Sequence, residues 1–496
     1  MMNSSFWARW VACWGLAVAG AALAQPVDGR APSTRVKAHA PAKVSAAVPA
    51  AAVGVQKPAE PSVREVIGLI DARRRLRGDM PTGRGVVFAH VEGTPGAYAP
   101  KLDGPGYRDV MFSLVSGPSA ASGHATTTAR FIYGDKGLAP GVEVVQCLTA
   151  GDFMNEKYLR SNTPGVAPVA TLGTHETSSP RVFTHSWIGD PPRPTARRVL
   201  RRLDYQIDTH DVIVVVGVNN GRQTPVPALL GSAYNVLAVG TTTGKNSGGY
   251  TRGDDPVDGP GRCKPDLAAP TGLTSYTTPV VAACAGLLVE RADTLTERGV
   301  VDASRSEVIK AALLGGCTKP KNWAPDPGHS LDAWMGAGVV NIDRSLRIMK
   351  DAALPMGKAL KRRFGWSFVA LVPGSVATWD LTLPAVPGPV TLTAVWHRRI
   401  DARQAMLKNK ATGETAPLWL DAPRSADFDL RLVSLNDGSE VEVAASASRV
   451  DNVELVVAHG LEAGAYRIEV VRQNGEAEPA EAWDVALTWA IDLPKR

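Results

Sequence analysis

The chain has 496 residues, of which 44% are hydrophobic and 21% charged, with a formal net charge of +6. That length exceeds one compact core and calls for two folded domains plus tails, while the balance of residue types is that of an ordinary globular protein. So small a charge excludes a bulk basic surface of the kind that marks a nucleic-acid binder.

In chain order, Arg9 precedes an apolar stretch from Trp10 to Ala24 that ends in Ala22-Leu23-Ala24, a small-residue cleavage pattern. The stretch falls short of the roughly 20 residues that span a bilayer. Residues 1–24 are expected to be a signal peptide cut after Ala24, with a retained anchor as the rival reading. The mature protein is then secreted or periplasmic, with no stable membrane insertion. Cys13 lies inside the apolar core, which disfavours lipid modification. Four cysteines remain after cleavage: Cys147, Cys263, Cys284 and Cys317. An even number permits two disulfides in an exported protein, whereas buried small side chains are the plainer reading, above all for Cys284 on a predicted core helix. No CxxC occurs, and no His/Cys cluster has metal-site spacing.

Residues 25–60 are Ala/Pro-rich and aperiodic, a linker or tail. Ser62-Val63-Arg64-Glu65 is a capping box that starts a helix with Val63, Ile67 and Ile70 on one face. Short apolar runs then alternate with helical patterns. The predicted strands are Val86–Val91, Val142–Cys147, Arg181–Trp187, Val212–Val216 and Val236–Val239; the predicted helices include Thr195–Asp208, Pro279–Arg291 and Ser304–Leu314. Continuous β-branched runs alternating with helices imply an α/β three-layer sandwich with a mostly parallel central sheet, over residues 61–350. Arg193, Arg197, Arg198, Arg201 and Arg202 read as the solvated face of one of these helices, with Val199, Leu203 and Ile207 opposite, and not as a nucleic-acid site. From 356 to 496 the pattern changes to strict alternation. Phe428, Leu430 and Leu432 face one way, as do Tyr466, Ile468 and Val470, with turn signals at Asn436-Asp437-Gly438 and Ala463-Gly464. That is an all-β antiparallel sandwich domain.

Four segments carry chemistry. Val86-Val87-Phe88-Ala89-His90-Val91-Glu92-Gly93 is a buried strand ending in an acid. Ser122-Gly123-His124 precedes Gly137-Leu138-Ala139-Pro140-Gly141 and the next strand. Val215-Val216-Gly217-Val218-Asn219-Asn220-Gly221 is a strand opening into a turn. Lys264-Pro265-Asp266 leads to Leu273-Thr274-Ser275-Tyr276-Thr277-Thr278-Pro279 and an apolar helix. Acid, base, amide and hydroxyl thus fall at ends of buried elements, where α/β folds place their sites, with the serine near the positive end of a helix dipole. A serine needs a base, and the base an orienting carboxylate, to act as nucleophile.

In this order and spacing the segments resemble the subtilisin family of serine peptidases, from about residue 83 to 345, including the closing Gly336-Ala337-Gly338-Val339-Val340-Asn341. The resemblance implies that Ser275 is the nucleophile, His124 the general base, Glu92 the acid in place of the usual Asp, and Asn219 the oxyanion donor. Asp103 and Asp109 are rival acids. It also implies a polypeptide substrate, lying along Ser186-Trp187-Ile188-Gly189 with Trp187 as a bulky wall, and no cofactor in catalysis. The family often binds calcium, but no ligand loop for it can be picked out. The roughly 55 residues between the signal and the core look too short for the family's folded pro-domain.

The departures are Glu92, one methylene longer than Asp; Ala125, Thr127 and Thr128 after the histidine; and Leu273, where the family has Gly and a side chain would crowd a tight backbone. They leave a catalytically inactive binding or scaffold protein as the alternative to an active endopeptidase, and acyl transfer to a non-peptide acceptor as a third reading. His90, two residues before Glu92, reads as a buried hydrogen-bonded histidine. His175, His185 and His210 carry no constellation.

Overall fold

The computed structural model describes residues 61–493 apart from 104, 108, 164, 170–178, 251–256, 260, 326–328, 385–386, 409–412 and 477. The signal segment, the Ala/Pro-rich stretch and His175 lie outside the described residues. At the first described helix, α1 (Val63–Val66), the Ser62 hydroxyl accepts from the Glu65 N–H while the Glu65 carboxylate accepts from the Ser62 N–H at 2.7 Å. This reciprocal cap satisfies amides that a helix start leaves free. It is followed by α2 (Leu69–Leu76), with Ile67 and Leu69 fully buried.

Seven strands form one sheet: β1 (Phe88–Glu92), β2 (Met111–Leu114), β3 (Val144–Thr149), β4 (Val182–His185), β5 (Ile213–Gly217), β6 (Leu237–Thr241) and β7 (Leu267–Ala269). They lie in the order β2-β3-β1-β4-β5-β6-β7, and every neighbouring pair is parallel. Both faces are covered, so alternate residues of one strand enter different cores. Ile213 and Val215 of β5 join one cluster, Val214 and Val216 the other. On the first face lie α3 (Gly123–Ile132) and α5 (Thr274–Glu297). A Cβ at Gly286 would come within 2.5 Å of the Phe88 ring, so α5 can lie directly on β1 only because it has glycine there.

The other face is covered by α4 (Arg193–His210), whose Val199, Leu200, Leu203 and Ile207 pack on Val214 and Val216. Here one expectation is corrected: the arginine-bearing side of α4 is not a uniformly solvated face. Arg202 is fully buried and donates to the carbonyls of Leu159, Arg160 and Val166, with its guanidinium 4.6 Å from the Trp419 ring. Burial lowers its pKa to about 10. Arg201 pairs with Asp258 and Asp421. A hairpin from the C-terminal region lies against this helix, which no local periodicity announces.

Two further helices, α6 (Ser306–Gly316) and α7 (Ile342–Ile348), close the α/β region. The C-terminal region is all antiparallel. Its strands are β8 (Phe364–Leu371), β9 (Val376–Leu383), β10 (Val390–Val395), β11 (Arg399–Lys408), β12 (Thr415–Arg424), β13 (Phe428–Ser434), β14 (Val441–Ser446), β15 (Val453–Ala458), β16 (Gly464–Arg472) and β17 (Trp483–Ile491). They make two four-stranded sheets, β8-β17-β10-β15 and β9-β16-β13-β14, with β11-β12 as the separate hairpin against α4. Phe428, Leu430, Leu432, Tyr466, Ile468 and Val470 all point into the sandwich core.

Every residue of α6 is buried, because β17 packs against it. Thr488 on β17 donates to the Ala311 carbonyl at 3.2 Å, and a Cβ at Gly315 would collide with Thr488. Trp366, Val395, Leu455 and Ala486 therefore share one hydrophobic cluster with Val308 and Leu313. Cys147, Cys263, Cys284 and Cys317 are buried free thiols, so the two disulfides that the count permits are not formed.

Candidate active site

Glu92 ends β1 with its carboxylate turned to the α3 face, only 5% exposed. Ser122 caps α3, accepting from the Ala125 N–H at 3.1 Å, and this fixes the turn on which His124 stands. Glu92 Oε2 lies 2.8 Å from His124 Nδ1. The longer side chain therefore reaches the histidine from the strand end.

The second oxygen, Oε1, is 3.2 Å from His90 Nε2 and accepts from the Thr128 hydroxyl at 3.2 Å. Burial works to raise the Glu92 carboxyl, but the hydrogen bonds from His124 and His90 outweigh it and bring it down to about 2. The Glu92 hydrogen bond raises the His124 pKa against the opposing effect of burial. Thr128 stands where the resemblance showed a departure, and it supplies a partner to the acid. Sequence reasoning gave His90 its correct environment and missed Thr128; both lie one helical turn or one strand repeat from a named residue.

Ser275 is in the first turn of α5, which packs against α3, with Phe131 and Tyr276 stacked at 5.9 Å between the two helices. Leu273, the N-cap, has φ −135°, an extended conformation open to any residue, and its side chain is 38% exposed. The expected crowding at this position does not occur. The Ser275 carbonyl accepts from the Ser186 hydroxyl at 3.0 Å, which ties the Ser186-Trp187 segment to the serine. Trp187 is half-buried, and its indole N–H donates to His185 Nδ1 at 3.2 Å. Among the described residues, no hydrogen bond links Ser275 Oγ to His124.

Asn219 and Asn220 follow β5. Asn219 is fixed through its backbone: its N–H donates to Ser247 Oγ at 3.0 Å and its carbonyl accepts from the Ser247 N–H at 2.8 Å. Its side-chain amide makes no hydrogen bond among the described residues. The neighbouring Asn220 is the one bound to the serine turn, its Oδ1 accepting from the Thr274 N–H at 3.0 Å and the Thr274 hydroxyl at 3.1 Å. With the Thr274 N–H engaged, the Ser275 N–H at the helix start has no acceptor among the described residues. Of the rival acids, neither Asp103 nor Asp109 bonds to His124.

No family model and no curated protein matches this chain. Among solved structures it is similar to the prenylagaramide maturation protease PagA, with 18% identity over 56% of this chain and 98% of that one and a TM-score of 0.36. It is similar to a protease from Pseudoalteromonas arctica at 15% identity over 57% and 94%, with a TM-score of 0.36. It is also similar to fervidolysin from Fervidobacterium pennivorans, a keratinolytic enzyme related to subtilisin, at 12% identity over 86% and 82%, with a TM-score of 0.37. By its own sheet order and flanking helices, the chain has the three-layer α/β fold with a parallel central sheet that the sequence resemblance implies, followed by an antiparallel β-sandwich.

Proposed function

We propose that this chain is an exported serine endopeptidase in which Ser275 attacks the peptide carbonyl, His124 takes its proton and returns it to the leaving amine, and Glu92 orients the imidazole. The observation that carries the reading is the 2.8 Å contact between Glu92 Oε2 and His124 Nδ1, on a helix packed against the one whose first turn holds Ser275. A carboxylate on Nδ1 fixes the tautomer whose Nε2 is a free base, which an isolated surface histidine lacks. The Ser275 N–H and the unengaged Asn219 amide are the donors for the oxyanion. Every group in this scheme is a side chain or amide of the chain itself. Export rests on the Arg9 to Ala24 pattern.

The second reading, an inactive binding protein on the same fold, is favoured by one observation: the Ser275 hydroxyl and His124 are not hydrogen-bonded. Catalytic hydrogen bonds often tighten only when substrate binds, so the gap does not by itself argue against the first reading. Labelling with a fluorophosphonate probe separates them. Labelling that is lost in Ser275→Ala and weakened in Glu92→Ala supports the peptidase. No labelling of folded wild type between about pH 6 and 10 leaves the binding protein.

A further inference from the structure

Three side chains distant in sequence meet where α4, α6 and the loop after β10 come together. Asp208 lies in the last turn of α4, Glu307 in the first turn of α6, and His397 two residues beyond β10. His397 Nδ1 is 3.4 Å from Asp208 Oδ1 and 3.4 Å from Glu307 Oε1. The ligand-capable atoms of all three lie within 4.8 Å of one another. His397 and Glu307 are 2% and 1% exposed, yet His397 Nδ1 and Glu307 Oε2 have no hydrogen-bond partner. Buried polar atoms are rarely left so, because each pays its desolvation uncompensated.

The surroundings hold the imidazole in place and leave Nδ1 facing the two carboxylates at ion-pair distance, outside hydrogen-bond geometry. His397 Nε2 faces the Ser306 hydroxyl at 3.5 Å, and Ser306 reaches Asp211 Oδ1 at 3.3 Å. The Trp483 indole donates to the His397 carbonyl at 2.9 Å. Such outer partners orient metal-ligating histidines. Arg305 is 3.5 Å from Glu307 Oε1, the same oxygen that lies 3.4 Å from His397 Nδ1, and 3.1 Å from Asp211 Oδ2.

We propose that Asp208, Glu307 and His397 bind one divalent transition-metal ion of the Zn2+ class. Donors about 2.1 Å from a tetrahedral ion stand about 3.4 Å from one another, which is the separation observed here twice. One imidazole nitrogen and two carboxylates form a donor set for Zn2+ or Mn2+, whereas an all-oxygen cage suits Ca2+. The Asp208 side chain is 20% exposed and marks the edge from which the ion and a completing water enter. The ion would join two helices of the α/β region to the sandwich. Without the ion, burial works against a charged imidazole, but the Glu307 and Asp208 carboxylates outweigh it and raise the His397 pKa.

The test uses the full chain, stripped with a chelator and then titrated with ZnCl2 by calorimetry. Bound zinc is counted by mass spectrometry after desalting, and the thermal midpoint is read with and without the ion. One zinc per chain, a raised midpoint reversed by EDTA, and affinity lowered about 10–100-fold or more in His397→Gln and in Asp208→Asn are expected. Asp208→Asn keeps the side chain's shape at a partly exposed position, so it gives the answer even if the buried His397→Gln fails to fold. No uptake by the stripped wild type, or uptake and midpoint shift unchanged in Asp208→Asn, overturns the proposal. Unchanged uptake in that variant would place the ion elsewhere, for example on the thiols.

Discussion

Glu92 holds His124 with one carboxylate oxygen, 2.8 Å from Nδ1, while its other oxygen is occupied by His90 and Thr128. The acid is thus fixed from two sides before any substrate arrives. Replacing it by Glu92→Gln keeps the length but puts an amide where Nδ1–H needs an acceptor. On the proposed mechanism kcat/KM falls by about 10⁴ with the fold intact, measured by peptide hydrolysis beside circular dichroism.

The same contact sets a pH limb. The hydrogen bond to Glu92 raises the His124 pKa above its ordinary 6.5, so the free base appears only at higher pH and kcat/KM should climb on the alkaline side of 6.5. Removing the carboxylate in Glu92→Gln moves that limb to lower pH in the profile. For stability the sign is reversed. A histidine with a raised folded pKa adds stability below its unfolded value, and that contribution is lost as pH rises through the folded one.

Asn219 and Asn220 are separable by kinetics. Asn219→Ala removes an unengaged amide and should lower kcat by about 10²–10³ with little change in KM or thermal midpoint. Asn220→Ala frees the Thr274 amide and hydroxyl, so it should cost about 1 kcal/mol of stability in urea unfolding in addition to any loss of rate. If Asn220→Ala shows the larger kcat loss and Asn219→Ala none, the oxyanion role passes to Asn220.

Glu454 makes a prediction independent of catalysis. Burial lifts its carboxyl to about 8, against hydrogen bonds from Ser330, Ser446 and the Ser448 N–H that lower it. An acid with a raised folded pKa binds its proton more tightly when folded. Its contribution is complete below the ordinary 4.5 and is lost as pH climbs through about 8. The thermal midpoint should fall over that window, and Glu454→Gln, neutral throughout, should flatten the fall.

Arg398 links the two regions through Asp204 and Asp258, all three buried. Arg398→Met leaves two buried carboxylates with fewer cationic partners and should cost about 3–5 kcal/mol in denaturant unfolding.

Much of the α/β region was legible because its signals are local. The run Val212–Val216 is β-branched throughout and becomes β5, and the apolar stretch after Ser275 becomes α5. Of the seven strands of the sheet, those missed were β2, four residues at the sheet edge with none buried, and β7, three residues of which two are Ala. Neither is long enough to show a period. The Glu92–His124 pair followed from motif order, whereas the bond from Asn220 to Thr274 spans 54 residues and needs the fold to form. Arg202 read as solvated because its position on α4 says nothing of Trp419, far along the chain. For the same reason, Asp208, Glu307 and His397 show no metal-site spacing.

The close approach of Gly315 to Thr488 bears on how the protein could be processed. Because α6 has no outward face of its own, the two regions are joined by that packing and not only by the stretch 352–362 between α7 and β8, which is itself laid on the sandwich by Leu354, Gly357 and Leu360. Proteolytic nicking there should leave two fragments that elute together under native conditions and melt in one transition. A chain ended before residue 364, by contrast, would expose an apolar helix face and be found in inclusion bodies.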